Sequence, residues 1–265
     1  MFGKRLLRRA IGAASVAGLI AIGHAASTGT QGTAAYRIET DVASAGALEE
    51  RYSDRQLAQL EKLNRADREH LSRLRQLVLP AVWTDDELAY SPLPVRYGPG
   101  VEWPLYLVVY LPGQVFGAYE YGTLVRWGPV SSGARTSQTS SGLFALNWRS
   151  PGRASTIDPD WFMRWYFNFG NRDGLAFHAY ALPGSPASHG CIRLLERDAR
   201  WLYEWGEPWT LDPSGTRVLQ VGTPVFVAGR YEFDAAPPWR SLAWLSRTVD
   251  LPFPPDHLHS VMVNP

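Results

Sequence analysis

From His178 to Arg193 the chain places a thiol, two imidazoles and two glycines within sixteen residues. A cysteine enzyme needs a thiol, a base to take its proton, and N–H donors for the oxyanion that attack creates. Cys191 supplies the thiol. His178 ends an expected strand, and a loop carrying Pro183, Gly184 and Pro186 brings the chain back to Cys191. His189 is the rival base, two residues before the thiol, a spacing that shares one face only on an extended chain. A turn at Gly190 breaks that relation, so His178, aimed by strand and loop, is preferred. Gly190 removes a side chain where a carbonyl must approach and permits backbone angles closed to other residues. The backbone N–H groups around Gly190 and Cys191 are then candidate oxyanion donors.

Cys191 is the sole cysteine of the 265 residues, so no intramolecular disulfide forms. The N-terminus makes this informative. Lys4, Arg5, Arg8 and Arg9 precede the apolar run Ala10 to Ile22 and small residues at Gly23, Ala25, Ala26 and Ser27. That is the layout of a secretory signal over 1–26, with an uncleaved inner-membrane anchor as the alternative. The expected location is the periplasm or cell envelope. A lone thiol outside the reducing cytoplasm is retained where it is buried, paired between chains or needed for chemistry.

Behind the site the chain divides by texture. Residues 27–53 are rich in Ala, Ser, Thr and Gly and read as a flexible linker. Over 54–80 the spacing of Leu57, Leu60, Leu63, Leu71, Leu74 and Leu77 predicts a helix, capped by Ser53 or Asp54 and stopped by Pro80. From about 100 to 230, short β-branched and aromatic runs alternate with Gly, Pro and Ser punctuation, and only Leu195 to Trp205 reads as helix. The expected fold is mainly β, with one or two packed helices. Residues 231–265 form a Pro-rich extension. A formal net charge of +1 offers no basic field for nucleic acid. The 11 Trp are expected chiefly in the core. His257 and His259 lack a third clustered ligand, so no metal is expected.

The segment Ser188-His189-Gly190-Cys191-Ile192-Arg193 resembles the signature of L,D-transpeptidase catalytic domains, and His178 takes the place of their upstream histidine. Val130-Ser131-Ser132-Gly133, Thr139-Ser140-Ser141-Gly142-Leu143-Phe144, Asp198-Ala199 and Gly222-Thr223-Pro224-Val225 extend the resemblance, in family order, over about 104 to 228. It implies a β-sandwich-like domain with Cys191 as nucleophile and His178 as general base. It further implies an oxyanion site at His189, Gly190 and Cys191, with Ser188 and Arg193 shaping the substrate pocket. The implied partners are peptidoglycan stem peptides: the thiol attacks at an L-centre (diaminopimelate or lysine), D-Ala leaves, and the thioester passes to an amine. No cofactor is required. Three departures stand out. Ala179 replaces the usual Gly or Ser, leaving a backbone carbonyl to hold the imidazole tautomer. Ser140 replaces a Pro, and the loop from His178 to Ser188 is short.

Competing readings remain open. The same platform serves a carboxypeptidase trimming tetrapeptides or a hydrolase releasing wall-attached proteins. A wall-binding protein with a dead site is another, disfavoured by the intact His178 and Cys191. Papain-like and caspase-like sites have a different order or spacing of Cys and His. Arg193 either binds a substrate carboxylate or pairs with Glu196 or Asp198. Ser188 either contacts substrate or braces its turn. Trp161, Trp165, Tyr166 and Phe169 either wall the groove or fill the core, with core favoured. Asp158 and Asp173 are undistinguished as partners of His178, and the sequence sets no oligomeric state.

Overall fold

The computed structural model describes residues 35–158 and 160–256. The signal or anchor expected over 1–26, and the pair His257 and His259, lie outside the described residues. Among the described residues no helix is long and apolar enough to cross a membrane.

The chain enters through β1 (Tyr36–Glu39), α1 (Ala45–Arg51), α2 (Asp54–Asn64), α3 (Arg68–Leu71) and β2 (Leu77–Pro80), which pairs antiparallel with β1. The linker expected over 27–53 is therefore structured from Tyr36 onward. Ser44 caps α1 by accepting from the Ala47 N–H. The single helix expected over 54–80 is corrected to two helices and a strand. Ser53 and Gln56 close a capping box at the start of α2. Arg65, left-handed at φ 57°, ends that helix. Asp67 then caps a new one, accepting from the His70 N–H at 3.0 Å. Leu77, Val78 and Leu79 abandon the helical period because all three side chains are buried. The Asn64 amide bonds both backbone groups of Val78, at 2.8 and 2.9 Å, and substitutes for a neighbouring strand.

The body of the protein is a mixed sheet. Its strands are β3 (Leu105–Tyr110), β4 (Val115–Glu120), β5 (Thr123–Ser131), β6 (Gly142–Ala145), β7 (Arg149–Ala154), β8 (Phe162–Gly170), β9 (Leu175–Ala179) and β10 (Ile192–Leu194). After α4 (Glu196–Trp205), β11 (Thr210–Leu211) and β12 (Val218–Gln220) form a separate hairpin, and β13 (Pro224–Ala228) returns to the sheet. The nine strands run in the order β6-β13-β3-β4-β5-β10-β9-β8-β7, with β13–β3 and β10–β9 parallel. The mainly β expectation is met, and its sandwich-like character comes from one curled sheet. Phe144 of β6 meets Phe169 of β8 edge-on at 5.5 Å. β7 escaped the sequence reading because Pro151 and Gly152 look like punctuation; it is an edge strand, where proline is tolerated.

Strand alternation explains two cores. Leu107 and Val109 of β3 point inward to meet Phe116, Phe177, Ile192 and Leu202. Tyr106 and Val108 point outward, where the N-terminal elements and the tail cover them. The tail reaches there through a 3-10 turn at Pro238–Arg240 and α5 (Leu242–Leu245), which bury Trp239 and Trp244. Arg65 joins these parts. Its guanidinium is 5.5–5.9 Å from the rings of Trp127, Trp239 and Trp244 and donates to the carbonyls of Lys62, Leu63 and Gly113. Burial lowers its pKa to about 9.

Candidate active site

Parallel pairing of β9 with β10 builds the site. His178 stands in register with Arg193, and Phe177 with Ile192. Phe177 and Ile192 go to the inner core, so His178 and Arg193 project from the opposite face. Both line a cavity of about 620 Å³ with Cys191, which directly precedes β10.

The imidazole of His178 is 4% exposed, and its Nδ1 lies 3.1 Å from the Ala179 carbonyl oxygen. A carbonyl only accepts, so Nδ1 carries the proton and Nε2 presents a lone pair. Neither Asp158 nor Asp173 is needed to hold the ring. Burial lowers the His178 pKa to about 4, and the nearby Arg193 cation adds to the drop. Cys191 is partly buried, which raises its thiol pKa against the smaller opposing effects of the Ala176 backbone and of Arg193 and Arg153. The pair therefore rests as neutral imidazole and neutral thiol, and the S–H points to the Gly174 carbonyl at 3.4 Å.

The turn before Cys191 is braced from within. The Ser188 hydroxyl donates to the Cys191 carbonyl at 2.5 Å and accepts from the Gly190 N–H at 3.1 Å. Ser188 is 2% exposed and lines the cavity, and these two bonds make its hydroxyl a brace of the turn. The same bond occupies the Gly190 N–H, one of the expected oxyanion donors. Among the described residues the N–H groups of His189 and Cys191 have no hydrogen-bond partner, leaving them as candidate donors. Gly190 itself has φ +117°, which explains glycine there.

The segment after β5 holds the turn from outside. The Thr139 hydroxyl donates to the Gly190 carbonyl at 2.7 Å and accepts from the Gly133 N–H at 2.9 Å. A Cβ on Gly133 would lie 2.0 Å from the Ser137 carbonyl oxygen, so no side chain fits. The Ser132 carbonyl accepts from Ala187 and Ser188, both at 3.0 Å, and the Ser188 carbonyl accepts from Ala134 and Ser137. The residues Val130-Ser131-Ser132-Gly133 and Thr139 thus position the loop rather than touch the cavity.

Arg193 pairs with neither acid weighed for it: Glu196 bonds Arg164, and Asp198 bonds Arg126. Its guanidinium lies 4.7 Å from the Tyr180 ring and faces the cavity. Arg153 does likewise from β7, over Trp148 and Tyr166 at 5.3 and 5.0 Å. Sequence reasoning missed Arg153 because β7 itself was missed. Of the four aromatics weighed between wall and core, Trp161 and Tyr166 line the cavity, whereas Trp165 and Phe169 pack on the core. Trp165, at φ +54°, sits where β8 shifts register against β9, and strand alternation places its neighbour Tyr166 on the opposite side, toward the cavity. His189 is exposed, with its ring 5.1 Å from that of Trp161. Among the described residues no three His, Cys, Asp or Glu side chains group as a metal site.

Three L,D-transpeptidase structures are similar, from Mycobacterium smegmatis (20% identity, 48% of this chain and 59% of that one, TM-score 0.38), Stackebrandtia nassauensis (24%, 48% and 57%, 0.39) and Mycobacterium tuberculosis H37Rv (22%, 48% and 58%, 0.37). This chain thus spans less than two thirds of each of those chains. No curated protein matches it. The YkuD family model, the L,D-transpeptidase catalytic domain, matches residues 104–227, which include β3 to β12, His178 and Cys191. Residues 104–227, a little under half of the chain, are thus similar to the L,D-transpeptidase catalytic-domain family.

Proposed function

We propose that the protein is a peptidoglycan L,D-transpeptidase in which Cys191 is the nucleophile and His178 the general base. One observation carries the assignment: both side chains open into one cavity, and Ala179 fixes the imidazole so that Nε2 is its free nitrogen. The thiol proton passes from Sγ to Nε2 as sulfur attacks the carbonyl of the L-centre. The N–H groups of Cys191 and His189 receive the oxyanion. Collapse expels D-Ala, whose amine takes the proton from His178, and leaves a thioester. An acceptor amine then attacks the thioester, gives its proton to Nε2, and the thiol is restored. Arg193 and Arg153 supply cations for substrate carboxylates.

Disaccharide-tetrapeptides incubated with the full chain and read by mass spectrometry test the proposal. Dimers joined through two L-centres are the expected product. Tripeptide alone would replace the transferase with a carboxypeptidase. Cys191→Ala is expected to abolish turnover with an unchanged melting curve. Absence of product, together with no acyl adduct from a carbapenem, would overturn the enzyme reading.

A further inference from the structure

The loop between His178 and Cys191 is gripped by a part of the chain outside the family match. Asp67 lies between α2 and α3. Its backbone N–H donates to the Leu182 carbonyl at 2.9 Å, and its carboxylate Oδ2 accepts from the Leu182 N–H at 2.8 Å. Its other oxygen, Oδ1, accepts from the His70 N–H at 3.0 Å and lies 2.6 Å from His70 Nδ1. On either side, Ala66 forms a β-bridge with Pro183, and the Gly184 N–H donates to the Arg65 carbonyl at 3.1 Å. Leu182 is fully buried, three residues after Ala179.

We infer that Asp67 is a positioning residue for catalysis, holding the 180–187 loop so that the Ala179 carbonyl stays aimed at His178. This rests on the proposed role of His178 as base. The path is short. Ala179 ends β9, and the Tyr180 N–H still bonds the Leu194 carbonyl at 3.2 Å. From there, among the described residues, the main sheet offers the chain no partner until Ser131 and Ser132 hold it from Ser185 onward. Between Ala181 and Gly184 the bonds come from residues 65–67. No side-chain hydroxyl at position 179 is present to orient His178, so the ring depends on a backbone carbonyl whose direction is set by the chain leaving β9. A misplacement of about 1 Å at a catalytic group costs on the order of 100-fold in rate.

The test separates bracing from folding. Asp67→Ser and Asp67→Asn both retain a residue suited to capping α3, but neither offers the second carboxylate oxygen to Leu182. His70→Ala removes the imidazole beside Asp67 and leaves the Leu182 bonds in place. With the full chain, carbapenem acylation of Cys191 and turnover of the tetrapeptide are measured alongside melting curves. Both Asp67 variants are expected to lose about 10–100-fold in acylation rate and in kcat, with KM little changed. His70→Ala is expected to acylate within about threefold of wild type even if it melts as early as the Asp67 variants. Wild-type rates in folded Asp67→Ser or Asp67→Asn, or an equal loss in His70→Ala, would overturn the inference. Should neither Asp67 variant fold, hydrogen exchange on the wild type decides: protection of the Leu182 amide is expected, and fast exchange there refutes the brace. A wild type that is not acylated at all refutes the base assignment instead.

Discussion

The resting state of the candidate dyad makes a quantitative prediction about pH. Burial penalises the imidazolium of His178 and lowers its pKa to about 4 in the folded protein, from the 6.5 of a free histidine side chain. Between those values the unfolded chain binds a proton that the native protein refuses. Stability therefore rises with pH across that window and is lost as pH falls from about 6.5 to 4. A difference of 2.5 pKa units corresponds to about 3 kcal/mol by pH 4. Urea unfolding of wild type and His178→Gln, each at pH 7, 5.5 and 4, isolates this contribution. The variant loses the bond to Ala179 at every pH, so that loss is a constant offset. Titration of other groups is common to both proteins. The wild type is expected to lose about 3 kcal/mol more than the variant between pH 7 and 4. A parallel loss in the two proteins would refute a neutral, desolvated His178. The acid limb of kcat/KM should likewise fall near pH 4 rather than 6.5.

Replacing Arg153 or Arg193 with Met should cost about 1.5–3 kcal/mol of substrate interaction each, roughly 10–100-fold in kcat/KM, because among the described residues no carboxylate pairs with either guanidinium. Ser188→Ala should lower stability by about 1–3 kcal/mol and slow acylation without raising KM, since its hydroxyl serves the Gly190–Cys191 turn. A rise in KM alone would return Ser188 to the substrate. Residues 104–227 expressed alone should fail to melt cooperatively, because Tyr106, Val108, Val115, Tyr119 and Trp127 lose their cover from both flanking segments. A soluble, cooperatively melting fragment would show that the flanks are dispensable.

The candidate site was more legible in the sequence than the elements that support it. Cys191 and His178 could be named because a nucleophile and base joined by a short loop leave a local pattern, and the β-branched runs from Leu105 to Val227 announce strands. Arg153 could not be named, because Pro151 and Gly152 disguise the edge strand that carries it. The occupied N–H of Gly190 was equally hidden, since it depends on the Ser188 rotamer. Leu77 to Leu79 continued a leucine spacing that fits a helix, and only burial of all three side chains and the Asn64 bonds to Val78 select the strand. Arg65 gave no signal at all. A charged side chain enclosed by Trp127, Trp239 and Trp244 is assembled from residues more than 170 positions apart.

The neutral dyad bears on why a solitary thiol persists at this position. The thiolate is both the nucleophile and the form that oxidants attack. Burial raises the Cys191 pKa, and the S–H rests against the Gly174 carbonyl, so the thiolate is scarce in the free protein. The same burial that protects sulfur also withholds charge from the imidazole, so no preformed ion pair compensates. In the proposed mechanism charge then appears only as substrate arrives, with proton transfer to Nε2 coupled to attack on the carbonyl. That demand falls on geometry: Nε2 must be unprotonated and correctly aimed at the moment of attack, because no standing thiolate can wait for alignment. The Ala179 carbonyl sets the tautomer, and the turn built by Ser188, Gly190 and Thr139 sets the sulfur. A site that keeps its nucleophile protonated has traded intrinsic reactivity for dependence on its backbone, and here that backbone is held by hydrogen bonds from both neighbouring segments.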